Sequence, residues 1–367
     1  MNITYDHQIF VVSKFGGASR YFTEMISRMA KFPDADVSVF AGYYINEYGI
    51  EKFKSDFKLF EGKKYNEIPK SKMFAFHLDN FMFRSFLKKS KPDIYHTTYY
   101  KYLNCGFKGK RTMTVLDMMH ELMPGSFSKL DNSAKWKAEC VKKMDGIISI
   151  SHATKKDLVN IYNVPEEKVK VIHLANSMNT GVKSERIVKE PYILYIGGRW
   201  VYKNFKMLLQ VYAETPYFKN NFKLVAFGGG NFSQEENDLI KKYGVEGKVI
   251  FDTGSDEKLA NYYKYASVYV YPSKYEGFGV PLVEAMYMDC PMIGSNISSI
   301  PEIGGPAALY FDPDSPEDLK DKLETILTNE EVKNDLLAKA KEWRKNFSWE
   351  KTTEETYKYY KELLNKN

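Results

Sequence analysis

At 367 residues the chain is long for one domain and suits two of about 150–200 residues each. Its apolar fraction of 44% gives each half a core, and no run approaches the ~20 apolar residues needed to span a bilayer. The net charge of +6 is weaker than nucleic-acid binding usually requires, and three scattered cysteines without CxxC spacing argue against disulfides or structural zinc.

Unpaired cysteines fit a reducing cytoplasm, and the first residues lack the basic-then-apolar pattern of a signal peptide. Short apolar runs alternate with helical patterns along the chain, which predicts parallel sheets covered on both faces. In the first half the expected strands are Val37–Ala41, Ile94–Thr98, Met113–Leu116, Gly146–Ser151 and Val169–Leu174. Gly16 and Gly17 precede an apparent helix start at Ala18; such a pair either lets the backbone approach a phosphate or makes an ordinary tight turn. The segment Lys70 to Lys91 interleaves Phe74, Phe76, Phe81, Phe83, Phe86 and Leu87 with Lys72, Arg84, Lys88, Lys89 and Lys91. A basic, aromatic stretch of this kind lies on an anionic membrane or packs as a helix with solvated lysines. His120 follows the strand that ends near Asp117, and a lone histidine there is commonly structural. His7, His77, His96, His152 and His173 show no metal-ligand spacing. Ser151 to Thr154 reads as the cap of the next helix.

The polar stretch Asn176–Glu190 has no apolar periodicity and reads as the link between two domains. Expected strands in the second half are Tyr192–Gly197, Lys223–Phe227, Lys248–Phe251, Ser267–Tyr271, Pro291–Gly294 and Ala307–Phe311. The first ends in Gly197-Gly198-Arg199, with Lys203 four residues on; both cations suit a phosphate, and both suit a solvated surface. Neither Gly16-Gly17 nor Gly228-Gly229-Gly230 makes the spacing of a dinucleotide fingerprint. Tyr271 to Glu284, YPSKYEGFGVPLVE, is the most telling stretch. A strand, a glycine turn (Gly277, Phe278, Gly279, Val280) and a helix opening on Pro281 together form an anion site of free N–H groups and positive dipole. Glu276 and Glu284 bracket the turn, and carboxylates beside phosphates fit a ligand that also carries a vicinal diol, which describes a nucleotide sugar. Asp312-Pro313-Asp314 follows the last apolar run in a proline turn and reads as structural, so no metal site is expected there. From Ser348 onward an amphipathic helix is expected, with Ser348 as its N-cap.

YPSKYEGFGVPLVE resembles the signature of the retaining GT-B-fold glycosyltransferases of family four, and five further blocks resemble family blocks in the expected order. They are DHQIFVVSKFGGASRYF near the N-terminus, TVLDMMHELMP at 114–124, ISISHATKKDL at 148–158, YIGGRWVYKNF at 195–205 and SNISSIPEIGGPAALYFDP at 295–313. The likeness is greatest to the bacterial mannosyl- and rhamnosyltransferase-like group of surface polysaccharide synthesis. The resemblance implies an α/β fold of two Rossmann-like domains, their parallel sheets facing across a central cleft. Residues 1–175, joined by a crossover helix at 348–367, would bind the acceptor, and 176–347 would bind the donor. It implies that Arg199 and Lys203 neutralise the leaving diphosphate, that His120 faces the donor sugar and phosphate, and that Gly16, Gly17 and Gly198 admit the phosphates. Glu276 would face the donor sugar, Glu284 the ribose diol, and Phe278 to Val280 would offer N–H groups. His7, in the first block, would line the cleft. The family more often has glycine where Asp289 stands, which puts the exit of that helix in question.

The expected activity is therefore metal-independent, cofactor-free transfer of a hexose, with retention, from a GDP- or UDP-sugar to a glycan or lipid-linked acceptor. GDP-mannose is favoured. The expected place is cytoplasmic, with peripheral contact to an anionic membrane as an option and no nucleic-acid partner. Alternatives are an inactive scaffold of the same fold in a polysaccharide assembly complex, or a nucleotide-sugar epimerase.

Overall fold

A computed structural model describes residues 1–66, 71–178 and 180–366, with the side chains of 71–75 outside the description. The chain forms two compact units, Met1–Leu174 with Trp349–Asn367 and Ala175–Ser348. The sequence placed these divisions at 175/176 and 347/348.

Among the described residues the first unit carries a seven-stranded sheet. Its strands are β1 (Asn2–Tyr5), β2 (Asp36–Tyr44), β3 (Leu59–Lys64), β4 (Ile94–Thr97), β5 (Lys110–Val115), β6 (Gly146–Ser149) and β7 (Val169–Val171). They lie in the order β3-β2-β1-β4-β5-β6-β7, every pairing parallel. The six-stranded second sheet comprises β8 (Tyr192–Ile196), β9 (Lys223–Phe227), β10 (Val249–Asp252), β11 (Val268–Tyr271), β12 (Met292–Ser295) and β13 (Ala308–Phe311), in the order β10-β9-β8-β11-β12-β13, also parallel. Both units are Rossmann-like. Central strands such as YILYI of β8 are buried along their whole length, because helices cover both faces of a parallel sheet.

Two strands lie outside the sequence expectation. β1, with sequence NITY, buries a polar residue at mid-strand; Thr4 is satisfied by donating to Ser90 Oγ at 3.1 Å. β3, with sequence LFEGKK, pairs only with β2 at the sheet edge, where charges are tolerated and apolar runs are not required.

The stretch 176–190 is not a loose link. Asn261, on the helix Asp256–Tyr265, accepts from Glu185 N–H at 2.8 Å and donates to the Lys183 carbonyl at 3.0 Å, which holds it to the second unit. The last helix, Trp349–Asn365, packs in the first unit. Tyr360 shares hydrogen bonds with His96 Nδ1 and, at 3.1 Å, with the Tyr5 hydroxyl, and Tyr357 stacks on Phe32 at 4.3 Å.

In each sheet the strand order reverses once, at β1/β4 and at β8/β11. Ligands of open α/β sheets bind beyond the carboxyl ends of such strands.

Candidate functional site

In the second unit β8 and β11 pair directly, so the loops leaving their carboxyl ends are neighbours. The Lys274 N–H donates to the Tyr202 carbonyl at 2.7 Å and ties one loop to the other. This tie sets Lys203 Nζ 2.6 Å from Glu276 Oε1, with the two side chains 16% and 10% exposed. The Glu276 backbone is fixed in turn by the serines of the 295–299 turn. Ser298 donates to the Glu276 carbonyl, and buried Ser299 lies within hydrogen-bonding distance of that carbonyl (2.9 Å) and of the Phe278 carbonyl (2.8 Å).

The glycine turn then feeds the helix Val280–Tyr287. Gly279 has φ +110°, a conformation in which a Cβ is strained, and Pro281 takes the second helical position, where no intrahelical donor is lost. Phe278 is buried edge-on against Phe347, so of this residue only the backbone is left to meet a ligand. Glu284 is buried on the same helix, and the Tyr263 hydroxyl donates to its Oε2 at 3.0 Å. Asp289 itself takes the left-handed conformation of a helix exit, with φ +50°, and pairs with Arg344 at 3.3 Å.

Gly198 lies where the first loop leaves β8, and its carbonyl accepts from the Tyr195 hydroxyl at 2.6 Å. Arg199 departs from the sequence expectation. Its Nε donates to Glu236 at 2.8 Å, Nη1 to the Gly228 carbonyl at 2.9 Å, and Nη2 to the carbonyls of Gly230 and Asn231 at 2.7 and 2.8 Å. The side chain is 4% exposed and lies among the rings of Phe205, Phe232 and Phe251. Four of its five N–H donors are thus held by protein acceptors. Arg199 braces the loop of Gly228, Gly229 and Gly230, all at positive φ. Of the two expected cations, Lys203 is the one paired with Glu276.

In the first unit Gly16 caps the helix Gly17–Met29 with φ +139°, and its N–H donates to the Tyr48 hydroxyl at 3.2 Å. Gly17 is exposed, with open space where a Cβ would stand. The His120 ring stacks on Phe127 at 4.1 Å, and its Nε2 lies 3.6 Å from Asp131. His7 does not line an open surface. It is buried among Phe40, Phe76 and Phe83, and burial lowers its pKa to about 4, so the ring is neutral.

Two families of known sequences account for most of the chain. Residues 15–175 match Glycosyltransferase Family 4, and residues 179–343 match Glycosyl transferases group 1. The chain belongs to glycosyltransferase family four. Its relatives include O-antigen chain mannosyltransferase B of Escherichia coli, 29% identical over 230 residues, and O-antigen chain mannosyltransferase RfbU of Salmonella typhimurium, 28% identical over 218 residues. Each match covers 59% of this chain and 60% of the relative, so the chain spans about 60% of their length. Sucrose-phosphate synthase from Thermosynechococcus elongatus has the same fold, with TM-score 0.76 and 19% identity over 100% of this chain and 99% of that one. So does Anabaena HepE in complex with UDP and glucose, with TM-score 0.73 and 16% identity over 98% and 99%.

This glycosyltransferase contains two polar centres that the sequence did not disclose. Buried Asp6, at the carboxyl end of β1, accepts from Tyr95, Thr97, Thr98 and Gln8. Its donors knit β1 to β4 at the reversal point of the first sheet. Lys137, fully buried, donates to the Asp117 carbonyl at 2.8 Å and to Glu121 at 3.0 Å, which braces the turn that carries His120. Asp6 stands in a block already noted for other residues; a lysine inside SAKWKAECV gave no signal.

Proposed function

We propose that this glycosyltransferase moves a hexose from a GDP- or UDP-sugar, GDP-mannose favoured, to a glycan or lipid-linked acceptor of a surface polysaccharide, with retention. The observation that carries the reading is the Lys203–Glu276 pair at the reversal point of the second sheet, with Glu284 on the adjoining helix. The O-antigen mannosyltransferase relatives favour mannose and polysaccharide synthesis, and HepE with UDP and glucose favours a nucleotide-sugar donor.

In this reaction the bond from the anomeric carbon to the diphosphate oxygen breaks as the acceptor oxygen bonds to the same face of that carbon. The acceptor proton passes to the departing phosphate. Negative charge builds on the diphosphate, and Lys203 with the N–H groups at Gly279 and Val280 stabilises it without a metal ion. Glu276 holds Lys203 and the sugar in place rather than attacking. Glu284 accepts from the ribose diol. Gly16 and Gly17, having no side chains, let phosphate approach the backbone, and His120 faces the donor sugar. These roles are tested by transfer from a panel of labelled nucleotide sugars onto extracted lipid-linked glycans. Transfer or hydrolysis of at least one donor is expected; neither from any donor would leave an inactive scaffold.

The helix Ser71–Ser90 gives a second surface. Phe83 and Phe86 are spent on the core with Phe40 and Tyr95. Phe81 is 76% exposed, with exposed Leu78, Arg84 and Lys88 on the same face. We infer that this face touches an anionic membrane. Lys70 lies outside the described residues, as do the side chains of Lys72 and Phe74. Among the described residues no helix is long and apolar enough to cross a membrane.

A further inference from the structure

Beneath the two glutamates lies a layer of buried tyrosines from β8, β11 and the helix Asp256–Tyr265: Tyr195, Tyr263, Tyr269 and Tyr271. Two of them address the carboxylates. Tyr271 lies within the field of the Glu276 charge, and the Tyr263 hydroxyl reaches Glu284. The Tyr263 hydroxyl lies 3.0 Å from Glu284 Oε2 and 3.1 Å from the Pro281 carbonyl. A hydroxyl has one proton, and the charged oxygen is the stronger acceptor. Burial, and then the nearby Glu284 charge, raise the Tyr263 pKa well above its ordinary value, so the group stays protonated and only donates.

A carboxylate that is to accept from both hydroxyls of a diol must turn both oxygens toward it and stay ionised. Glu284 lies on a helix of eight residues, and its side chain has several rotatable bonds. Tyr263 restricts them: its ring is wedged edge-on against Tyr269, 5.5 Å between centroids, and it grips one oxygen from the side of the core.

We propose that Tyr263 is a positioning residue for Glu284 and thereby sets the preference for a ribose over a deoxyribose donor. The proposal rests on the reading of Glu284 as the diol acceptor. It extends the donor site by one layer, to a residue with no contact to the substrate.

The test is isothermal titration of wild type, Tyr263→Phe and Glu284→Gln with GDP, UDP and their 2′,3′-dideoxy counterparts. Each hydrogen bond to a charged group contributes about 1.5–3 kcal/mol and the dideoxy ligand lacks two, so wild type should prefer the ribonucleotide by about 100-fold or more. Tyr263→Phe should lose most of that ratio, chiefly through weaker ribonucleotide binding, and should add little in the Glu284→Gln background. A merely structural role would weaken ribo and dideoxy ligands alike and leave the ratio intact. An intact ratio in Tyr263→Phe overturns the proposal while Glu284 keeps its role. No ribo preference in wild type overturns the Glu284 reading itself and the proposal with it. Tyr263→Met, which has no donor and an adaptable side chain, carries the same test if the phenylalanine variant does not fold.

Discussion

Replacing Lys203 with alanine separates what the Lys203–Glu276 pair does for the fold from what it does for the reaction. With the ammonium gone, a carboxylate only 10% exposed loses its counter-charge. Stranding one partner of a fully buried pair costs about 3–5 kcal/mol; with both groups still touching solvent, roughly 2–3 kcal/mol is expected. For a unit of this size that is a fall of about 5–10 °C in the melting midpoint. Turnover should fall by about 10²–10³, the range for removing one preformed charge-stabilising donor. The double variant Lys203→Met, Glu276→Gln distinguishes the two effects. It removes both charges, so calorimetry should show most of the lost stability returned while turnover stays low. Wild-type turnover in Lys203→Ala would refute the catalytic role. A double variant as unstable as the single one would refute the account of the pair as two mutually compensating charges.

Arg199→Ala should unfold the second unit several degrees earlier, because two or more carbonyls and Glu236 lose their donor; an unchanged midpoint with weakened GDP or UDP binding would restore Arg199 as a phosphate clamp. Burial raises the Asp79 pKa to about 7, against the donated Tyr43 N–H, so the folded chain keeps this proton from roughly pH 4 to 7 where the unfolded chain has lost it, and stability falls as pH rises through that window. The urea midpoint of wild type should accordingly drop relative to Asp79→Asn between pH 5 and pH 8; a constant difference rejects the linkage. Activity should survive exhaustive EDTA treatment, and loss that magnesium or manganese restores would reject Lys203 as the phosphate neutraliser. Co-sedimentation with anionic vesicles should be salt-sensitive and weakened by Phe81→Ser; equal, negligible binding of both forms would leave that helix face a plain surface.

Much of the second unit's architecture was legible because its grammar is local. Strand, glycine turn and proline-led helix follow one another within fourteen residues of sequence from Tyr271 to Glu284, so the placement of Glu276 and Glu284 needed no long-range contact. Buried parallel strands such as β8 and β9 announce themselves as unbroken apolar runs. The surroundings of Arg199 were hidden for the opposite reason: its acceptors Gly228 and Glu236 lie 29 and 37 residues away, and nothing near Arg199 in the chain shows that they surround it. The same holds for Asp6, whose donors Tyr95, Thr97 and Thr98 come from 89 to 92 residues downstream. Edge strand β3 was missed because a strand with one neighbour and a wet face has no need of apolar residues.

The packing of Tyr360 against His96 has a consequence for biosynthesis. These side chains are 264 positions apart, and ribosomes add roughly 5–20 residues per second, so about 13–50 s pass between the emergence of one and the other. From the completion of β7 at Val171 until the last helix emerges, the first half of the nascent chain has its sheet sequence complete and one helix missing from its cover, with Tyr5 and Tyr21 lacking their partners Tyr360 and Trp349. Ribosome-bound chains arrested before Trp349 should therefore be cut readily by protease within residues 1–174, and chains extended past Asn365 should resist.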